Sequence, residues 1–137
     1  MIQEQYVSFE VAKLLKEKGF DEECWYWYEE DGYFKDSNDD YGFQSNSDHI
    51  SDDFICSAPT LQMVMKWLRE VHAIHIELNW DKGNQLYNFN IWKPGKYQPE
   101  ISSLDLWRIY KDDNYLGEWN YEEACESAIK YCLENLI

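Results

Sequence analysis

Apolar positions along the chain recur in two periods, one near 3.6 and one of 2, and the switch between them marks its elements. Leu61, Val64, Met65, Leu68 and Val71 keep helical spacing behind the capping residue Thr60. Directly afterwards Ile74, Ile76, Leu78 and Trp80 alternate with His75, Glu77 and Asn79. The turn-forming run Asp81-Lys82-Gly83-Asn84 follows, and then a second alternation, with Tyr87, Phe89 and Ile91 set against Asn88 and Asn90. The stretch from Thr60 to Trp92 therefore predicts a helix feeding a two-stranded hairpin with a shared apolar side.

The same pattern places two further helices. Ser8 is a good N-cap for the stripe Phe9, Val11, Ala12, Leu14 and Leu15. Gly19 suits the left-handed residue that ends a helix, and Phe20 can fold back on Leu15. Near the end, Asn120 and Glu123 form a capping-box pair, and Trp119 is placed to staple onto Ala124. Tyr121, Ala124, Cys125, Ala128, Ile129, Cys132, Leu133 and Leu136 then hold one face without a break.

Cys24-Trp25-Tyr26-Trp27-Tyr28 favours a strand with large side chains on both faces, and Tyr33-Phe34, after Glu29-Glu30-Asp31-Gly32, begins its partner. Phe54-Ile55-Cys56 reads as a short strand, and Trp107-Arg108-Ile109-Tyr110 as a further one. The expected fold is α+β, a single domain spanning residues 1–137. Helices near 9–18, 61–71 and 121–135 pack on one face of a mainly antiparallel sheet made of 24–29, 33–36, 74–80 and 86–92, with 107–110 as a fifth strand. From Lys35 to Asp53 the chain turns polar and acidic and loses all helical period, so a mobile or functional loop is expected at about 36–53.

Composition narrows the functional classes. With 137 residues, roughly two thirds of the extended surface can be buried, enough for one core. Acidic residues outnumber basic ones 27 to 12, for a net charge of −15, and no Lys/Arg cluster stands out. Such a surface repels phosphate, which disfavours direct binding to nucleic acid or to an anionic membrane and points toward cations or a basic protein. The plainer use of this charge is to keep an aromatic-rich chain soluble. Cys24, Cys56, Cys125 and Cys132 have neither C-x-x-C nor zinc spacing. With no signal-peptide pattern after Met1 and no bilayer-length apolar run, free thiols in a reducing cytoplasm are the expectation.

Three constellations carry chemistry. Asp36, Asn38 and Asp40 alternate like the opening of a calcium loop, but Gly42 falls one position late and Ser47 stands where a bidentate Glu is needed. Weak divalent-cation binding is the sharp reading and a solvated acidic loop the plain one; no other cofactor is implied. His75 and Glu77 share one side of a strand, with His72 before them and Asp48, His49 and Asp52 on the long loop. Together they would serve a small metal-assisted hydrolase; otherwise they are polar residues on a half-buried strand. Nucleophile elbows, phosphate loops and H-E-x-x-H are missing from the sequence. Finally, 7 Trp and 11 Tyr exceed what one core of this size needs. Trp25, Tyr26, Trp27 and Tyr28 are the candidates for an exposed ladder that contacts another protein, or a second copy of the chain, if the strand is not covered.

The segments Ser8–Phe20, Pro59–Val71 and Tyr121–Leu133 together resemble small uncharacterised proteins of gut bacteria, their prophages and their phages. The resemblance rests on helical patterns and transfers no site residue. It implies an intracellular accessory protein of a mobile element. The leading functional expectation is a non-catalytic acidic interaction module, in its sharper form an inhibitor that imitates nucleic-acid phosphate.

Overall fold

Ser8 opens the first helix as its spacing predicts. Its Oγ accepts from the Val11 N–H, and helix α1 runs over Phe9–Glu17 in the computed structural model, which describes residues 1–38, 40–48, 52–110 and 120–137. Gly19 takes φ 89° beyond the helix end. The Phe20 N–H reaches the Leu15 carbonyl at 2.9 Å and Gly19 N–H that of Lys16 at 3.2 Å, the paired bonds of a Schellman ending. Phe20 is thereby turned into the core.

Strand β1 (Tyr26–Glu29) turns through Asp31 and Gly32 into β2 (Phe34–Asp36), and β3 (Phe54–Ser57) pairs on the other side of β1. Gly32 is held at φ 80°, and a Cβ there would stand 2.9 Å from Cδ2 of Phe9, so glycine is required for this turn to close against α1. Thr60 then caps α2 (Leu61–His72), whose Val64, Met65, Trp67 and Leu68 are buried. Ala73, left-handed at φ 55°, reverses the chain into β4 (His75–Asp81). β5 (Leu86–Trp92) returns antiparallel in the register Leu78↔Phe89, and the two-residue β6 (Ile101–Ser102) pairs with Asn90 and Ile91.

Two expectations change here. Trp107–Tyr110 does not form a strand; it lies in helix α3 (Ser103–Tyr110). The cause is local, because Ser102 and Asp105 exchange bonds at the helix start: Asp105 Oδ2 accepts from the Ser102 N–H and hydroxyl, and Ser102 Oγ accepts from the Asp105 N–H. Second, the strands form two three-stranded antiparallel sheets, β2-β1-β3 and β4-β5-β6, rather than a single sheet of four to five.

Helix α4 (Tyr121–Asn135) forms part of the core. Ala124, Cys125, Ala128, Ile129, Cys132 and Leu133 are all fully buried. The helix touches α1, α2, β4 and β5. One core cluster joins both sheets around it, in a single compact α+β domain. The Asn120–Glu123 capping box is present, whereas the Trp119 staple lies outside the described residues. Among the described residues no helix is long and apolar enough to cross a membrane.

Candidate interaction surface

Sheet β2-β1-β3 has two unlike faces, set by the alternation of β1. Tyr26 and Tyr28 point toward α1 and the N-terminal segment. Tyr26 stacks on Phe34 with centroids 5.0 Å apart, Tyr6 packs on both rings, and the Tyr28 hydroxyl donates to the Val7 carbonyl at 2.6 Å. Burial raises the pKa of the Tyr28 phenol above its usual value, with Glu126 and Cys56 adding to the effect. This face is core.

The opposite face carries Trp25, Trp27, Glu29 and Lys35, and Tyr33 shares its parity. The polar segment after β2 folds across it. Tyr41 meets Trp27 edge-on at 6.2 Å and Phe43 meets Trp25 at 5.1 Å, so that Trp27 is left 2% exposed. This segment is stitched down rather than loose. Gln44 and Cys24 exchange backbone bonds, Asn46 donates to the Phe20 carbonyl at 2.7 Å and accepts from the Ser57 N–H at 2.8 Å, and Asp21 accepts from the N–H and hydroxyl of Ser47. Those bonds from Ser47 hold the Asp21 carboxyl below its ordinary pKa. Ser37, Gln44, Ser45 and Asn46 are buried, while Asp36, Asn38, Asp40, Ser47 and Asp48 of the 36–53 stretch are exposed.

Covering Trp27 with other rings moves the exposed aromatic surface outward. Tyr33 is 63% and Phe43 60% exposed, and Tyr41 is also open to solvent. Glu29, Glu30 and Asp31 lie at the corner beside Tyr33, and the register Glu29↔Phe54 brings the 52–53 segment alongside. The ion pairs Lys66–Glu70, Lys130–Glu10 and Lys130–Glu134 lie away from this corner. Tyr33 is thus presented beside carboxylates in the turn between β1 and β2, and Phe43 on the segment that packs over Trp25.

Of the candidate ladder, Trp27 and Tyr28 are buried and Trp25 and Tyr26 half-buried. Sequence reasoning missed Tyr33 and Phe43 as the exposed members; the parity of Tyr33 with Trp27 was the available signal.

The members of the other constellations that are described lie as follows. Asn38 Oδ1 accepts from the N–H groups of Asp40 and Tyr41, at 2.9 and 3.1 Å, so its oxygen closes an Asx turn between Asp36 and Asp40 instead of facing a cation. His75 and Glu77 lie on the open face of the other sheet, where Glu77 Oε2 accepts from Trp92 Nε1 at 2.7 Å. His72 packs edge-on against Trp67 at 4.7 Å. His49 lies outside the described residues. Among the described residues no group of three or more His, Cys, Asp or Glu side chains is gathered as for a metal ion. The four thiols are buried, and desolvation pushes Cys24, Cys125 and Cys132 up to about 12 and Cys56 to about 11, far from a reactive thiolate.

Comparison with known proteins adds no relative. No family model, curated protein or solved structure matches the chain.

Proposed function

We propose that the chain is a non-catalytic acidic interaction module, which docks a basic protein on the outer side of sheet β2-β1-β3. The observation that carries this reading is the exposure of Tyr33, in the turn beside Glu29–Asp31, and of Phe43, packed on Trp25 toward the other end of β1. Rigid aromatics supply contact area at small entropic cost, and carboxylates around them select cationic partners and speed encounter. In its sharper form the module is an inhibitor that occupies a nucleic-acid site, with the partner's cationic groups meeting carboxylates where they would meet phosphate. Four unbonded thiols accord with a reducing cytoplasmic setting.

The test is affinity capture from a bacterial lysate with the wild-type chain and a Tyr33→Ser/Phe43→Ser double variant. The reading expects basic proteins held by the wild type, released at high salt and lost by the variant. Equal capture by the two chains contradicts it. Displacement of the captured protein by duplex DNA or RNA distinguishes the inhibitor form.

A further inference from the structure

The seven residues of β4 form an outer strand: β5 lies on one side, and among the described residues no strand lies on the other. The hydrogen-bonding phase of this edge can be derived. Phe89 N–H donates to Ser103 Oγ and the Ile91 carbonyl accepts from Glu100, so the backbone groups of Phe89 and Ile91 face away from β4. Their neighbours Asn88, Asn90 and Trp92 therefore face β4, bonding Asn79, Glu77 and His75. What remains are Ile76, Leu78 and Trp80, whose N–H and C=O groups point outward, and no described residue bonds them.

We infer that this edge pairs with β4 of a second copy, antiparallel about a two-fold axis at Leu78. Placing the axis there sets Leu78 opposite Leu78 and Ile76 opposite Trp80. Each of these residues then donates and accepts once, which is the phase the free groups require. An axis at Glu77 or Asn79 would keep this phase but set Glu77 directly opposite Glu77 or Asp81 of the other copy, opposing like charges. A shift by one residue would put apolar residues on the polar face.

The side chains agree with the same register. On the open face His75 meets Asp81 of the other copy, and Glu77 meets Asn79, so no like charges oppose each other. On the inner face Ile76 of one copy covers Trp80 of the other. Trp80 is 54% exposed in the single chain, although its strand partner Tyr87 and the neighbouring Tyr121 form a packed aromatic row. Pairing extends that row and joins the two sheets into one of six strands. A long edge without proline, bulge or lysine is the kind that pairs. The surface used is separate from the Tyr33–Phe43 face, so either proposal can fail without the other.

Sedimentation equilibrium over about 1 µM to about 1 mM tests the pairing. The wild-type chain should pass from monomer to dimer, more readily at higher salt because screening relieves repulsion between two chains of charge −15. Asn79→Lys, facing Glu77 of the other copy twice by symmetry, should tighten the dimer about fivefold, and Asn79→Glu should loosen it by a similar factor. Asn88→Lys makes the same charge change on β5, away from the edge, and should do little. Under oxidation a mixture of Glu77→Cys and Asn79→Cys chains should cross-link into mixed dimers while neither variant alone does. A chain monomeric throughout the range, equal responses to Asn79→Lys and Asn79→Glu, or cross-linking of one variant alone overturns the inference.

Discussion

Asn46 shows how much one polar side chain contributes to this surface. It is buried, and it satisfies the Phe20 carbonyl at a helix end and the Ser57 N–H at the end of β3. Removing it leaves a buried donor and a buried acceptor without partners, so Asn46→Ala should cost about 2–3 kcal/mol in denaturant unfolding. A loss below about 0.5 kcal/mol would place the segment outside the cooperative unit. The thiols make a second case. Because burial raises Cys24, Cys125 and Cys132 to about 12 against an ordinary 9.0, the protonated form is favoured in the fold. The stability linked to them is fully present below the ordinary value and is lost as pH rises through the folded one. At neutral pH native thiols should react with iodoacetamide only as fast as the chain opens, and all four should react in denaturant. Rapid labelling of the native chain would contradict the burial.

At the scale of elements, legibility follows the range of the forces involved. Helices α1, α2 and α4 were readable because cap, stripe and end signal agree within a few residues of one another, as in Ser8, Leu15 and Gly19. The β4–β5 hairpin was readable for the same reason, from alternation on both sides of Asp81–Asn84. α3 was not, since the bulky run at Trp107 favours strand on propensity alone; the reciprocal bonds of Ser102 and Asp105 outweigh it. The buried members of the segment after β2 were not readable because a polar residue facing an unpaired amide cannot be told by type from one facing water. Ser37, Gln44 and Asn46 are of the first kind. The division into two sheets is a long-range choice with no local mark.

For the whole molecule, the relevant balance is between charge and aromatic area. A net charge of −15 opposes close approach of like chains, while the Trp25–Phe43 and Trp27–Tyr41 contacts place Phe43 and Tyr41 over the outer face of β1. Trp25 and Trp27 gain their cover from Phe43 and Tyr41 because the polar segment folds back over β1; the strand pattern located the two tryptophans but not their cover. If the acidic charge serves solubility alone, any cation should bind everywhere on the surface. The measurement that separates these uses is a two-dimensional amide and indole NMR titration with a short Arg-rich peptide. Docking on the proposed face predicts shifts concentrated at the amides of Tyr33, Tyr41 and Phe43 and the indole of Trp25, diminishing as salt is added. Shifts spread over the carboxylates of α1 and α4, with those four signals unmoved, would contradict it.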